Sequence, residues 1–257
     1  MDKPLHSLDH HFHLPDIRRV EPAHVLLWLR QGWQDMRDSL VASLAYGVVF
    51  ALAGAFILAS TMDRPYLFTA AISGFLLIGP LAAAGLYEIS RRHDAGEATG
   101  FFASLGGLRG HADQLAFFGS FLAFALIAWE RLSAILFALF YDGSVSGVGG
   151  FASEVLLSTA YLDFVAIYVL IGGAVAALVF SLSVVAVPML MDRDSDIVTA
   201  TMTSMRAVAA NQKAMALWAA IIVGLVAIGF ATLMIGMIVV LPLLGHATWH
   251  AYRDLVE

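Results

Sequence analysis

Residues 164–191 read FVAIYVLIGGAVAALVFSLSVVAVPMLM, with no Lys, Arg, Asp or Glu between Asp163 and Asp192. A hydrocarbon core of about 30 Å needs about 20 apolar helical residues to cross it, so this run is long enough to span a bilayer. Residues 40–61, 66–88, 114–140 and 214–252 are similarly apolar. We therefore predict an all-α fold, a polytopic bundle of transmembrane helices.

The composition supports a lipid environment. Hydrophobic residues make up 60% of the sequence and charged residues 13%, with a mean hydropathy of +0.81, whereas soluble domains usually carry about 25% charged residues. The net charge of −6 comes without a basic block, so we expect no nucleic-acid partner. Because the chain has no cysteine, disulfides and thiolate metal sites are excluded.

The apolar run at 214–252 is too long for one span. As a single helix it would reach about 58 Å, nearly twice the hydrocarbon thickness. We predict a hairpin that turns near residues 229–236; the alternative is one span followed by an interfacial helix from Pro242. The hairpin gives six spans, at about 40–61, 66–88, 114–140, 164–191, 214–232 and 235–252.

The distribution of Lys and Arg orients the chain. With the N-terminus inside, the outer segments contain only Arg64, with Arg131 at or near the outer face. This is a positive-inside bias, and it predicts a cytoplasmic N-terminus. Six spans also put Arg253 and the C-terminus inside, whereas five would put them outside. The inner segments carry Lys3, Arg18, Arg19, Arg30, Arg37, Arg91, Arg92, Arg109, Arg193, Arg206 and Lys213.

A pattern recurs three times along the chain. Short amphipathic segments at 23–37, 101–112 and 197–212 precede the first, third and fifth spans, as expected for helices lying in the membrane interface. In the first, Val25, Leu29, Trp33 and Met36 are predicted to share one apolar face. Each returning span carries a proline: Pro80, Pro188 and Pro242. We predict three tandem units, each an interfacial helix plus a transmembrane hairpin. Parallel repeats occur among transporters, but also in proteins that move nothing.

This organisation gives a polar, histidine-containing tail at residues 1–22 and a single transmembrane domain at 23–257. The tail holds His6, His10, His11 and His13, a density that could collect a divalent cation weakly.

Four segments resemble a bacterial family of predicted integral membrane proteins, the domain-of-unknown-function 2189 family. They are residues 79–88 (GPLAAAGLYE), 188–194 (PMLMDRD), 241–250 (LPLLGHATWH) and 32–35 (GWQD), and the third is the most specific. The resemblance implies a bacterial inner-membrane location and no established activity. Some relatives are loosely labelled as oxidase-related, but the sequence lacks a pattern of intramembrane histidines suited to a haem–copper centre.

His246 and His250 are the candidates for metal or haem binding. Their i, i+4 spacing puts both imidazoles on one helical face. Two ligands leave a site incomplete, and Glu88, Asp192 or His93 could complete it at the same membrane boundary. The alternative is that His246, Trp249, His250 and Tyr252 are interfacial residues that end the last helix.

Two charged groups remain. Glu130 and Arg131 interrupt the third span, about 22 Å along the helix from Leu115, which favours a snorkelling pair at the outer boundary. Residues 132–141 are then expected to form a bent continuation or a surface helix. The second group is best explained as topology-setting charge, cross-paired between repeat units; it comprises Glu88, Arg91, Arg92, Asp192, Arg193 and Asp194.

No catalytic motif emerges, so we predict a non-enzymatic protein without a cofactor. The leading hypothesis is an accessory or assembly partner of other membrane complexes, in contact with lipid. The alternatives are a small-solute transporter or channel, suggested by the repeat and the three prolines, and haem or metal handling through His246 and His250. Glu88, Glu130, Arg131, Pro80, Pro188 and Pro242 are the other positions at which function is expected.

Overall fold

The computed structural model describes residues 14–61, 65–140, 155, 159 and 161–257. The predicted helical fold class is confirmed. The helices are α1 (His24–Asp38), α2 (Leu40–Thr61), α3 (Pro65–Ala82), α4 (Ala84–Asp94), α5 (Phe101–Gly110), α6 (Ala112–Phe140), α7 (Leu162–Ser183), α8 (Ala186–Asp192), α9 (Ile197–Ala210), α10 (Gln212–Ala231) and α11 (Met237–Leu255).

Four helical stretches in the described part of the chain are long and apolar enough to cross a membrane. They are α2, α6, α10 and the stretch Leu162–Asp192, which contains α7 and α8. The six-span count is not confirmed: the predicted span 66–88 is divided between α3 and α4, and the predicted span 235–252 begins in the turn before α11 and continues into that helix, which is not among the four. Large apolar side chains are exposed on the long helices, including Val41, Phe56, Phe124 and Leu170. Outward-facing apolar side chains are what a lipid environment requires of a spanning helix.

The chain divides into two compact units. Unit 1 contains the described residues up to Ala51, together with Pro80–Phe118 and Phe180–Glu257. Its core is built where α11 packs against α1, and Trp28 of α1 also meets Trp218 of α10 edge to face, with ring centroids 6.0 Å apart. Unit 2 contains the described residues of Leu52–Gly79 and Gly119–Val179. Its core includes Leu136, Phe137, Val155 and Phe164.

The helix α6 is continuous from Ala112 to Phe140, so residues 132–140 continue it and do not form a separate surface helix. No proline or glycine follows Arg131 within this helix, and both members of the pair are good helix formers. Glu130 and Arg131 form an ion pair, with Oε2 and Nε 3.3 Å apart. At about 43 Å, α6 is longer than the hydrocarbon core is thick.

The predicted span 164–191 is interrupted at Val184 and Val185. Pro188 explains the position, because its ring clashes with the carbonyl four residues earlier, which belongs to Val184. The break leaves the backbone N–H of Val185 without a helical acceptor, and this group donates to the buried Ser204 Oγ of α9 at 3.1 Å. The interruption near Pro80 falls at Ala83, and α3 continues through that proline.

The threefold pattern is visible in the backbone. The amphipathic helices α1, α5 and α9 are each joined to a long apolar helix by one residue: Ser39, His111 and Asn211. The φ and ψ angles of these residues are similar, at −120° and 41°, −118° and 14°, and −124° and 39°. The same local hinge therefore precedes α2, α6 and α10.

The turn between α10 and α11 lies within residues 232–236, where the hairpin was predicted. Leu233 and Met234 take positive φ angles of 51° and 71°. The Thr232 hydroxyl accepts a hydrogen bond from the backbone N–H of Gly236 at 2.8 Å, which closes the turn. The alternative of a separate helix starting at Pro242 is wrong, since α11 begins at Met237.

Pro242 leaves a backbone carbonyl of α11 free at the point where this helix meets α2. It lies inside α11 without breaking it, and it cannot donate a hydrogen bond to the carbonyl of Ile238, four residues earlier. This carbonyl faces Gly47 of α2, where a methyl group would collide with the oxygen. Glycine at this position therefore allows the close approach of the two backbones.

The predicted tail 1–22 falls partly outside the described residues, and its four histidines are among those not described. From residue 14 onward the segment packs on unit 1. The backbone N–H of Arg18 donates to the carbonyl of Leu255 at 2.9 Å, and its guanidinium pairs with Asp254 at 3.0 Å. Asp254 also accepts from His24 and Trp28 of α1, at 2.7 and 2.9 Å.

We predict that Gly47→Ala destabilises the protein by about 1–3 kcal/mol, because the added methyl group forces α2 away from Ile238. The measurement is thermal unfolding of detergent-solubilised protein. Gly224→Ala in α10 is the matched control, since a Cβ atom there meets nothing within 4 Å. The control should be neutral or slightly stabilised. Equal melting temperatures for the two variants would show that the crossing tolerates a side chain.

Candidate functional site

The two predicted histidines lie on α11, at the place where this helix packs against α1. A Cβ atom on Gly32 of α1 would stand 2.5 Å from the backbone nitrogen of Ala247, so the helices touch backbone to backbone. One turn after Gly32, Asp35 is directed at the same surface and is only 3% exposed. The close crossing brings the Asp35 carboxylate to His250, with Oδ2 and Nε2 2.9 Å apart.

Polar side chains from four helices of unit 1 continue this contact. Ser90 Oγ lies 2.6 Å from Asp35 Oδ2 and 2.7 Å from His246 Nδ1. His246 Nε2 lies 2.9 Å from Ser43 Oγ, and His93 Nδ1 lies 3.0 Å from Asp35 Oδ1. We call this set the Asp35 network; it comprises Asp35 of α1, Ser43 of α2, Ser90 and His93 of α4, and His246 and His250 of α11.

The order of donors along the network follows from chemistry. An ionised carboxylate only accepts, so the Ser90 hydroxyl and the His250 Nε2–H donate to Asp35. Ser90 has then used its proton, and its oxygen accepts from the Nδ1–H of His246. With its single proton on Nδ1, His246 accepts at Nε2 from the Ser43 hydroxyl. Hydrogen bonds therefore run without interruption from Ser43 to Asp35.

The network passes from the interior to the surface. His246 and Ser43 are fully buried, whereas the His93 side chain is 39% exposed. Burial by itself raises the pKa of the Asp35 carboxyl, but hydrogen bonds from His250 and Ser90, with the nearby histidine charge, outweigh it and lower the pKa below 3.8. Asp35 is thus held as a buried anion, and the partly exposed His93 lies beside it.

The contacts of His246 do not favour ligation of a metal or haem. Both of its ring nitrogens are already hydrogen-bonded to serines, so neither is directed at an open coordination position. In the described part of the chain, no three His, Asp or Glu side chains are arranged to hold a metal ion. Ligation through His246 and His250 stays a prediction.

Glu88 is fully buried, and its hydrogen-bond partners are arginines of its own helix and not these histidines. It accepts from Arg91 at 2.8 and 2.9 Å and from Arg92 at 2.8 Å, all within α4. Gly107 of α5 packs directly on this carboxylate, where a side chain would collide with it. The cluster therefore fastens α5 to α4.

Asp192 also has a structural set of partners. Its carboxylate accepts from the Tyr252 hydroxyl at 2.6 Å and from Arg253 at 3.2 Å, while Arg193 donates to the Tyr252 oxygen at 3.0 Å. These contacts join α8 to α11, the ends of the second and third predicted repeat units. Trp249 donates to Asp94 of α4 at 2.8 Å.

The remaining predicted positions are placed as follows. Glu130 and Arg131 lie in unit 2, on α6. Pro80 lies in α3, and Pro188 lies in α8, one turn before Asp192. Pro242 lies in α11, and the carbonyl that it frees contacts α2. None of these five side chains contributes a hydrogen bond to the Asp35 network.

Asp35, Ser43 and Ser90 were not identified as site residues from the sequence. A signal for Asp35 was present, because it follows Trp28 and Gly32 at helical spacing and is a charged residue on the buried face of α1. Ser43 and Ser90 carry no such signal, since buried serines are common in membrane helices.

We predict that Asp35→Asn lowers the free energy of unfolding by about 1.5–3 kcal/mol at neutral pH, since the charged acceptor of the hydrogen bonds from Ser90 and His250 is lost. The pKa of Asp35 is lowered on folding, so its stabilisation is present above the unfolded value of about 4 and is lost as pH falls through the folded value. The difference between wild type and variant should therefore shrink on acidification below about pH 4.

Unfolding in detergent across a pH series measures this difference. Asp38→Asn is the control, because the Asp38 side chain is about half exposed and lies 3.6 Å from His93. A control as damaging as Asp35→Asn, or a constant difference at every pH, would contradict the assignment.

Comparison with known proteins identifies one region of the chain. Residues 67–192 match the model of a family described as "Predicted integral membrane protein (DUF2189)". No curated protein and no solved structure matches the sequence. The matched region includes Ser90 and His93, and the resembling segment 79–88, whereas Asp35, His246 and the segment 241–250 lie outside it. Over residues 67–192, the comparison supports the resemblance of the chain to the DUF2189 family of predicted integral membrane proteins.

Proposed function

We propose that this protein is a non-enzymatic accessory or assembly partner of other proteins in the bacterial inner membrane. The proposal includes cytoplasmic N- and C-termini, for which the support is the distribution of Lys and Arg. The observation that carries the partner role is the position of Arg131 on α6.

Arg131 lies on an otherwise apolar face of α6. Its side chain is 77% exposed, although it pairs with Glu130. Phe124, Ile135 and Leu139 precede and follow it at seven- and four-residue spacings, and Phe124 is 71% exposed. These side chains therefore form one outward stripe with a cation inside it, which we call the Arg131 stripe.

A cation in such a stripe needs a polar neighbour. Placing an arginine against hydrocarbon costs at most about 2.5–3.5 kcal/mol, the value for the centre of a spanning helix, and less near its end. Glu130 pairs with only part of the Arg131 guanidinium group, which has five N–H donors in all. A partner helix with a carboxylate would satisfy the rest, while its apolar side chains cover Phe124 and Ile135. Arginine flanked by aromatic residues is a frequent composition of binding hot spots.

We predict that a photo-crosslinking amino acid at Phe124 captures a discrete membrane protein in native membranes. Arg131→Lys should retain the adduct, and Arg131→Leu should weaken it at least tenfold, because the buried carboxylate of the partner loses its cation. The readout is the yield of the cross-linked band after purification. The same crosslinker at Phe56, an exposed apolar site on α2, is the control and should give lipid adducts alone.

Lipid adducts alone at Phe124, unaffected by Arg131→Leu, would contradict the partner role. They would favour the alternative in which Arg131 snorkels to headgroups at the outer boundary. An adduct of two copies of this chain would replace the accessory role by self-association.

A second candidate, proton-coupled transport, is favoured by the Asp35 network. Its hydrogen bonds run from Asp35 to Ser43, which lies in the first turn of the long apolar helix α2, and the exposed His93 lies 3.0 Å from Asp35. Hydrogen-bonded chains of His, Asp and hydroxyl groups are typical proton relays in membrane transporters. The network thus has the chemistry of one end of a proton pathway.

This candidate predicts proton entry into liposomes that contain the purified protein and an internal pH-sensitive dye. Ser90→Ala should reduce the rate at least tenfold, because it removes the group between His246 and Asp35. Ser60→Ala is the control, since Ser60 is exposed and donates only to Phe56 of its own helix. A rate equal to that of empty liposomes would exclude proton transport under the gradient applied.

A further inference from the structure

The amphipathic helices are held at the ends of long apolar helices by chain connectivity. The helix α1 ends at Asp38, and α2 begins at Leu40, so only Ser39 lies between them. The helix α5 precedes α6 in the same way, and α9 precedes α10. If α2, α6 and α10 cross the bilayer, each amphipathic helix ends close to the boundary where the lipid headgroups lie.

The helix α1 has two different apolar faces. Val25, Trp28 and Met36 are buried in unit 1. The outward face carries further apolar side chains, of which Leu26 is 67% exposed and Trp33 is partly exposed. The prediction that Trp33 shares a face with Val25 and Met36 is therefore wrong. The reason is that α1 lies between a protein core and an apolar exterior, so hydrophobicity alone does not identify its buried side.

Two arginines lie among these outward side chains. Arg30 and Arg37 are both exposed, and the Arg37 guanidinium stacks over the Trp33 ring at 5.1 Å from its centroid. Within the part of the chain that the structure describes, neither forms an ion pair with a carboxylate. Their charge is therefore available to an external anion. We call this surface the Arg30–Arg37 face; it comprises Leu26, Arg30, Trp33 and Arg37.

The same combination recurs on α5. On this helix, Phe102 is 85% exposed, and Leu105 and Arg109 follow it at three- and seven-residue spacings. On α9, Val198 and Met205 are exposed, but Arg206 is half-buried and donates to the Pro15 carbonyl at 3.1 Å. An outward face that combines apolar side chains with an exposed arginine is thus shared by α1 and α5.

We propose that the Arg30–Arg37 face is a binding site for the phosphate headgroups of anionic phospholipids. Guanidinium groups bind phosphate oxygens in a bidentate manner and remain charged at any physiological pH. Leu26 and Trp33 enter the acyl boundary beside them, which is how interfacial helices combine apolar burial with attraction to anionic lipid. The face on α5 contributes in the same way with one arginine, Arg109.

The test uses the full chain in lipid nanodiscs with equal amounts of phosphatidylglycerol and phosphatidylcholine. After transfer to detergent, native mass spectrometry counts the lipids of each kind that remain bound. Wild type should retain phosphatidylglycerol preferentially. Removing one arginine should weaken this retention about fivefold. The double variant, Arg30→Gln with Arg37→Gln, should weaken it by the product of the two single effects.

Two controls make the result specific. Gln34→Ala changes an exposed side chain of α1, keeps both arginines and should leave the preference unchanged, and thermal unfolding should show that all variants remain folded. Inorganic phosphate at millimolar concentration should not displace the lipid, because it lacks the acyl chains that Leu26 and Trp33 contact. Equal retention of the two lipids by wild type, or an unchanged preference in the double variant, would overturn the proposal. A co-purifying protein cross-linked at Leu26 in place of lipid would also overturn the proposal.

Discussion

The carboxylate of Asp35 has almost no contact with solvent, and its need for hydrogen-bond donors constrains three helices at once. A buried anion without donors would cost several kcal/mol. The donors are Ser90 of α4 and His250 of α11, and the Nδ1 atom of His93 on α4 lies 3.0 Å from the carboxylate. These contacts require α4 and α11 to approach α1 in one register.

Glycines make that approach possible. Gly32 of α1 leaves room for the backbone of α11, and Gly245 of α11 leaves room for Leu86 of α4, whose Cδ1 lies 2.6 Å from where a Cβ atom would stand. Close packing and hydrogen bonding therefore depend on each other in unit 1. A side chain at either glycine would separate the donors from Asp35, and loss of the carboxylate would leave the close crossings without their polar bonds.

The sequence was sufficient for the features that depend on length and local chemistry. Charge-free runs located the long helices, and the excessive length of 214–252 located the turn near Thr232. The sequence was insufficient for the features that depend on the surroundings of a residue in the folded protein. Glu130 and Arg131 look like an interruption, but a neighbouring acid–base pair is compatible with a continuous helix. Pro188 indicates a kink in the helix. Only the structure shows that the helix stops at Val184 and that Ser204 accepts a hydrogen bond from the freed N–H group.

The candidate site was predicted in part for the same reason. The i, i+4 spacing found His246 and His250, because both lie on one face of one helix. Asp35 is 215 positions before His250, and no local pattern links them. The serines between them are recognisable only when α2, α4 and α11 are seen together.

This separation along the chain also has a consequence for biosynthesis. At a translation rate of about 5–20 residues per second, His250 follows Asp35 from the ribosome after roughly 10–40 s. During that interval α1 has no α11 to pack against, and its aspartate has to stay hydrated or be shielded by an insertion factor. Docking of α11 is then the step that completes maturation, so a truncated nascent chain would display an unsatisfied acid that quality-control proteases could recognise.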